Sequence, residues 1–432
     1  MSRMEKNMNN ILDFGAVGDG VTMNTAAIQR AIDMGGTVYV PSGVFVTGTL
    51  YLKSHGGLHL APGAVLRAST DRADYNSVDY CPQNAVFKSE NMAGTHLITA
   101  VEQEDIFIEG AGCIDGYSHY WVNESLKYPS CDFWGHPPVE AERPAQMIFF
   151  AECKRVRVET VFLKNSPFWH LFFHGCEDVF VRGVQINGEK KQWVNDGIDV
   201  DCCSRVTISD CIISTGDDGI TLRANGKRLV NKEAVCEDVL VSNCIITSYL
   251  DYGIRIGVGN GIVRNCSFSN VVIKDSLNGI GVTCRFSPEG SCTTVENVFF
   301  NGISIEALRG ILLKISDFQN HPPLSTAAHL KGMYFSNMLV KSNRSNYILG
   351  FDGAEMKDIY FNNSHFVVKK ELSENDRYTN GRWDIKEKDS AVYVSKAENI
   401  VFNGCRFVRE TPEYFSLDVA SDPDSEVSYL NT

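Results

Sequence analysis

Cys153-Lys154-Arg155-Val156-Arg157-Val158 returns as Cys176-Glu177-Asp178-Val179-Phe180-Val181, as Cys203-Ser204-Arg205-Val206-Thr207-Ile208 and as Cys236-Glu237-Asp238-Val239-Leu240-Val241. The copies begin 23, 27 and 33 residues apart. Related copies without the cysteine stand at Asp105-Ile106-Phe107-Ile108 and Asn399-Ile400-Val401-Phe402. After them come short strand patterns, among them Gly197-Ile198-Asp199-Val200, Gly219-Ile220-Thr221-Leu222, Gly253-Ile254-Arg255-Ile256 and Gly279-Ile280-Gly281-Val282. Asn, Gly, Asp and Ser turns separate the patterns, and no helical periodicity lies between them, which disfavours βαβ units. An antiparallel sandwich would need two-residue hairpin turns, and these are scarce. The expected fold class is all-β, a single-stranded parallel β-helix. Its coils stack one strand spacing apart and turn Ile, Val, Leu and Cys inward.

The rest of the chain fits one continuous stack over residues 1–432, with 1–60 supplying the N-terminal cap and first coils. Asn24-Thr25-Ala26-Ala27-Ile28-Gln29-Arg30-Ala31-Ile32 has apolar residues at helical spacing, with Asn24 as N-cap and Gly35-Gly36 as a stop. A short helix there would cover the open end of the stack, otherwise an exposed sheet edge. From Glu410 onward the chain is acidic and weakly patterned, and a loosely packed tail is expected. The 432 residues are 44% hydrophobic and 22% charged, a globular balance. No apolar run approaches the ~20 residues of a membrane helix. The net charge of -13 carries no electrostatic footprint for nucleic acid. It also means that a polyanionic glycan would need a local cationic clamp. The 14 cysteines show no zinc-ligand spacing and read as reduced core residues. The opening Met1 to Gly15 has no apolar run before a small-residue cleavage site, so a cytoplasmic location is expected. Oligomeric state is not legible.

Alternation gives the faces of the Gly-Ile strands. Ile198 and Val200 point inward, so Asp199 and Asp201 point outward; by the same rule Thr221, Arg223, Arg255, Gly281, Thr283 and Lys314 point outward. Stacking then predicts one solvent-facing strip carrying Asp196, Asp199, Asp217, Asp218, Arg223, Arg255 and Lys314. Asp196 and Asp217 are 21 residues apart, close to one coil, which predicts neighbouring carboxyls. Neighbouring carboxyls raise the pKa of one member, leaving an acid beside ionised partners. Glycosidic hydrolysis uses that pairing: an acid protonates the leaving oxygen and a base activates water. Two other readings stay open: turn capping by Asp through its own backbone, and a calcium site.

Through these motifs the sequence resembles glycoside hydrolase family 28, the polygalacturonase family, over nearly its whole length. The likeness begins at Asp13-Phe14-Gly15-Ala16-Val17-Gly18-Asp19-Gly20 and continues through Leu58-His59-Leu60-Ala61-Pro62-Gly63-Ala64 and Ile114-Asp115-Gly116. Asn165-Ser166-Pro167-Phe168-Trp169 looks like the segment ahead of the catalytic coils. Asp196-Gly197-Ile198-Asp199 and Gly216-Asp217-Asp218-Gly219-Ile220 look like the two acid motifs. The resemblance implies a right-handed β-helix and an inverting glycosidase needing no cofactor or metal. Asp217 would be the general acid, and Asp196 with Asp218 would hold and deprotonate the water. Asn195, Asp199 and Arg223 would brace the acids or touch substrate.

Three departures stand out. Val194 replaces the Asn that usually opens the first acid motif. Asp251-Tyr252-Gly253 stands where the family carries Gly-His-Gly. Asn278-Gly279-Ile280-Gly281-Val282-Thr283 lacks both bases of the Arg-Ile-Lys that binds the sugar carboxylate. Arg255 and Lys314, one coil before and one after, are the expected replacements, and Tyr252 is expected to take over a hydrogen bond of the missing His. Trp169 is a candidate for subsite lining; His170 and His174 beside it read as packing rather than a metal pair. The aromatic insert from Tyr117 to Pro144 and the loop from Ser316 to Leu330 are expected to wall a cleft, which would favour exo-action on short pectin-derived oligosaccharides. A uronate lyase with Arg255 as base, and a catalytically silent carbohydrate-binding β-helix, are the alternatives.

Overall fold

The computed structural model describes residues 8–77, 79–84, 94–125 (backbone alone for 122–125), 144–192, 194–285, 292–316, 329–371 and 387–431. Its coils fall into two compact units, Met1–Thr215 with Lys227–Lys232, and Gly216–Gly226 with Glu233–Thr432. Both are stacks of parallel β-helix coils. In the N-terminal unit the strands Gly36–Val40, Gly56–Leu60, Glu104–Gly110, Lys154–Glu159, Glu177–Arg182 and Ser204–Ser209 pair parallel and in register. Register places Val38, Leu58, Ile108, Val158, Val181 and Ile208 in one column, and all are buried. The cysteines that open the repeat are buried as expected; Cys176 N–H donates to Cys203 Sγ at 3.2 Å.

The third position of the repeat, a freely varying residue in the sequence, has a strict backbone role. Arg155, Asp178, Arg205 and Asp238 all take left-handed φ between 54° and 57°. For a residue with a Cβ that conformation costs roughly 1–2 kcal/mol, so something must offset it. In the N-terminal unit an ion-pair ladder on these turns returns part of that cost. Arg155 Nε donates to Asp105 Oδ1 at 2.5 Å, and Arg205 Nε to Asp178 Oδ1 at 2.6 Å.

The C-terminal unit stacks Cys236–Ser242, Ile262–Ser269, Thr294–Asn301, His329–Ser336, Glu355–Asn362, Glu398–Asn403 and Val427–Leu430, again parallel and in register. Its column is aromatic: Phe268, Phe300, Phe335, Phe361 and Phe402 stack with centroids 5.0, 4.8, 4.7 and 5.0 Å apart. Those spacings match the strand repeat, so each ring lies on the ring of the next coil. Its turns use amides, as where Asn270 Nδ2 donates to Asn243 Oδ1 and Asn337 Nδ2 to Asn301 Oδ1, both at 2.8 Å. Beyond Glu410, where a loose tail is expected, Leu417–Ser421 and Val427–Leu430 pair with Ser390–Ser395 and Glu398–Asn403. Their side chains stay largely exposed.

The expected helix is present at Thr25–Asp33 and buries Ala27, Ile28, Ala31 and Ile32 against the first coils. Asn24 sits at the N-cap position but makes no side-chain cap bond. Its Oδ1 accepts from Val17 N–H at 2.7 Å and its Nδ2 donates to Thr22 O, so it ties the preceding loop instead. No helix among the described residues is long and apolar enough to cross a membrane.

One expectation fails in both units. Asp196, Asp199 and Asp201 in the first, and Asp217, Asp218, Arg223, Arg255 and Lys314 in the second, are all buried. Alternation fixes direction, not exposure: successive rungs lie only ~4.8 Å apart, so outward side chains in a row shield one another.

Candidate active site

In the C-terminal unit the acids sit at a corner made by glycine. Asp217 and Asp218 lie in the bend that leads through Gly219 into the strand Ile220–Ala224. Gly219, Gly253, Gly279 and Gly310 stack at this corner: a Cβ on the first three would come within 2.6, 3.0 and 2.4 Å of the next coil's glycine carbonyl. Only glycine lets the backbones approach so closely. The residue ahead of each glycine therefore occupies one row, in which Tyr252 is in register with Asn278, and Asn278 with Arg309.

Asp218 is held from two sides. Its Oδ1 accepts from Tyr252 N–H at 3.1 Å and its Oδ2 from Arg255 Nη1 at 2.9 Å. Asp217 Oδ1 accepts from Asp218 N–H at 3.1 Å, and Ser248 Oγ donates to the Asp217 carbonyl at 2.7 Å. Asp251 is a third member: carboxylate oxygens of Asp217, Asp218 and Asp251 lie within 4.8 Å of one another. Its Oδ2 is 3.9 Å from Arg255 Nη1. Burial raises the Asp218 carboxyl above the ordinary Asp range; Arg255 pulls it back and Asp217 pushes it further up. These oxygens are hard ligands of the kind a divalent cation takes, but Arg255 already brings a positive charge to them.

The sequence-predicted bases fall into two rows. Arg255 is in register with Gly281 and Thr283 with Lys314, so each stands one rung from a lost base in its row. Arg255, however, is engaged with Asp218. Tyr252 closes the position of the lost arginine, since a Cβ on Gly281 would meet the Tyr252 ring at 2.1 Å. Tyr252 packs there with Leu312 and Tyr347, and Arg255 lies 5.4 Å over its ring. Arg223 is in register with Val258, beyond a bulge.

The N-terminal unit holds the other predicted residues. His170 N–H donates to the Asp196 carbonyl at 2.9 Å, and its Nδ1 also lies 2.9 Å from that oxygen. Burial holds the His170 ring down to about 4, so it is neutral near pH 7 and braces the Asp196 backbone. Asn195 donates to the Glu189 carbonyl at 2.8 Å, behind Val194 in a left-handed φ of 62°. Asp199 is in register with Phe172, and Asp201 with His174, whose Nδ1 lies 3.4 Å from Asp201 Oδ2. Trp169 is a core residue, packed among Ala145, Phe149, Ala151, Phe168 and Phe172, and does not line an open subsite. Of the expected cleft walls, Ser118–Ser125 forms a helix with Trp121 buried 6.0 Å from Tyr75. Trp134, His136 and residues 317–328 lie outside the described residues.

Sequence reasoning missed Asp251, Asn278 and Arg309. For the last a signal existed: Arg309-Gly310-Ile311 repeats the polar-Gly-Ile step of Asp218-Gly219-Ile220, Tyr252-Gly253-Ile254 and Asn278-Gly279-Ile280.

Comparison with known proteins bears on family and fold. The sequence profile of glycosyl hydrolases family 28 matches residues 40–363. A probable polygalacturonase of Vitis vinifera is 26% identical over 331 residues, covering 72% of this chain and 63% of that protein. An exo-poly-alpha-D-galacturonosidase of Dickeya chrysanthemi is 25% identical over 413 residues, covering 83% and 66%. The chain thus spans somewhat under two thirds of the length of these curated relatives. Among solved structures, the family 28 exopolygalacturonase of Yersinia enterocolitica superposes with a TM-score of 0.72 at 19% identity, covering 98% of this chain and 78% of that one. The hyperthermoactive exopolygalacturonase of Thermotoga maritima gives 0.61 at 19%, covering 98% and 91%. At such identity these likenesses speak to the fold, a parallel β-helix. With its profile match running across most of the coils and both acid motifs, the chain belongs to glycosyl hydrolases family 28.

Proposed function

We propose that this protein is a glycosidase that hydrolyses pectin-derived, galacturonate-containing oligosaccharides, with Asp217 as general acid and Asp218 as the base on water. The observation that carries the reading is the buried cluster of Asp217 and Asp218, in the family's acid motif, with Arg255 bonded to Asp218. Burial, with Asp217 beside it, raises the Asp218 carboxyl even against Arg255, and the role of Asp217 as acid follows its place in the family's motif. Asp217 passes its proton to the glycosidic oxygen as the bond from that oxygen to the anomeric carbon breaks. Water bonds to the anomeric carbon and loses its proton to Asp218. Asp196 is assigned a share of the water on the resemblance of its motif alone. Arg255, on Asp218, favours its ionised form and thus its work as a base. This engagement also speaks against Arg255 as the base of a lyase.

Inversion comes from the resemblance. The carboxyl separation, within 4.8 Å, is shorter than the roughly 6.5–9.5 Å common among inverting glycosidases. Proton NMR of the first-formed anomer decides it: inversion predicts a product of anomeric configuration opposite to the substrate bond, and retention removes that part of the proposal. The hydrolase reading itself is tested by reducing-end release from oligogalacturonides, rhamnogalacturonan fragments and neutral glycans. Wild type is expected to release sugar from a uronate-containing member, from the chain end if it is exo-acting, and Asp217→Asn to lose that activity. No release from any glycan sinks the reading.

We extend this reading to a cytoplasmic place of work, supported by the neighbouring free thiols of Cys153 and Cys176. Fractionation of the native cell is expected to recover the protein with cytoplasmic markers; recovery outside the cell ends that extension.

A further inference from the structure

A chain of net charge -13 that binds a uronate needs a local surplus of positive charge. The two places where the family keeps it hold Gly281 and Thr283, and Arg255 is engaged with Asp218. The surplus appears instead one coil further on. Arg309 follows Tyr252 and Asn278 in the row set by the glycine corner, two rungs or roughly 10 Å from Tyr252. It is 3% exposed, and only its Nη2 is bonded, to Glu387 Oε1 at 2.9 Å; Nε and Nη1 carry no hydrogen bond. Neither side-chain atom of buried Asn278, on the rung between, has a partner. Leaving such donors unmade in a buried site is expensive, most of all on a charged group.

The surroundings point to an anion. Arg344 Nε lies 3.6 Å from the same Glu387 Oε1, and Tyr347 Oη donates to Glu387 Oε2 at 3.3 Å. Two nearly buried guanidiniums thus share one carboxylate whose side chain is 40% exposed. A guanidinium matches the planar fork of a carboxylate, and a neutral hydroxyl would satisfy less of it.

We infer that Arg309, assisted by Asn278, is the residue that recognises a sugar carboxylate of the substrate, taking over in the following coil the role of the base pair missing at Gly281 and Thr283. This rests on the hydrolase reading above and names the chemistry of its substrate site: a uronate, bound through Nε and Nη1 of Arg309.

The test reads binding apart from turnover. The full chain carrying Asp217→Asn is titrated by calorimetry with an oligogalacturonide and with the same oligosaccharide after its carboxyls are reduced to alcohols. The acid form is expected to bind about 10- to 100-fold tighter, the worth of a charge-assisted pair. Adding Arg309→Gln is expected to erase that preference, and Arg309→Lys to restore part of it. Because Arg309→Gln also breaks the pair with Glu387, Glu387→Gln is the control, expected to keep or increase the preference. If R309Q keeps the full preference, or if E387Q loses it as R309Q does, Arg309 is not the carboxylate contact. Wild type that hydrolyses acid and reduced forms with equal kcat/KM removes this inference alone. Wild type that neither binds nor cleaves any uronate removes the hydrolase reading with it.

Discussion

The two units are built on one repeat and spend their buried polar groups differently. In the N-terminal unit His96 lies in the core with each ring nitrogen beside a protein oxygen, Nδ1 2.9 Å from the Gln146 carbonyl and Nε2 2.7 Å from Asn84 Oδ1, and its ring stacks on Phe149. In the C-terminal unit Arg309 is as deeply buried and leaves two nitrogens without a bond. A satisfied buried polar group holds a scaffold together; an unsatisfied one costs stability and is kept where a ligand completes it. The units differ also in how they pin their left-handed turns, by ion pairs in one and by amide ladders in the other. Their columns differ as well, aliphatic in the first and stacked phenylalanine in the second.

The largest effect should fall on chemistry. Asp218→Asn is expected to lower kcat by about 100- to 10,000-fold and, by taking the charge off the partner of buried Arg255, to cost up to about 3–5 kcal/mol of stability. Folded Asp218→Asn with full activity would mean that Asp218 is scaffold, and the contrast with His96 would dissolve. Next comes the column. Phe335→Ala opens a void between two stacked rings and should cost about 3–5 kcal/mol. Val158→Ala, its counterpart in the aliphatic column, should cost roughly 1.5–3 kcal/mol. Hydrogen exchange resolved along the chain checks both, and equal costs would erase the distinction between columns.

Acid should find the N-terminal unit first. Burial pushes His96 down to about 3 and His170 to about 4, from an ordinary 6.5. Between those values and pH 6.5 the unfolded chain binds protons that the folded chain refuses, so stability falls as pH drops through that window. The loss is a few kcal/mol for each ring at most. His96→Gln should flatten the slope of stability against pH, and an unchanged slope would show that His96 does not titrate on unfolding. The smallest effect belongs to the turn ladders. Arg155→Ala removes an exposed pair to Asp105 and should cost less than about 1 kcal/mol, shrinking with added salt. A comparable change at Asn337, Asn337→Ala, should cost about 1–2 kcal/mol and ignore salt, because left-handed backbone rather than charge is at stake. Salt sensitivity at both sites would merge the two ladders into one.

The coil repeat was legible because a β-helix writes its period directly into the chain. Cys, Val and Ile at fixed offsets are the inward column itself, and the acid motifs stand at fixed places on it. The helix Thr25–Asp33 was legible from its apolar spacing, but the work of Asn24 was not, since its partner Val17 is held by the fold of the loop. The strip of Asp217, Asp218, Arg255 and Lys314 was placed in the right rows and given the wrong exposure, because alternation says nothing of what flanks a side chain. Trp169 looked like a subsite for the same reason. Arg309 was within reach, marked by its Gly-Ile sequel, but a lone charge before a strand does not announce which rung it shares.

By itself, then, the sequence determined that this chain coils into a parallel β-helix, which carboxylates it carries in the family's acid motifs, and which bases of the family it lacks. Those facts are local, written in spacing and residue type. Only the tertiary structure decided that Arg255 closes on Asp218, that Tyr252 fills the space over Gly281, and that Arg309 is left with unmade bonds beside Asn278. Each depends on residues 29 to 78 positions apart meeting across rungs or loops, and register, not composition, sets which side chains meet.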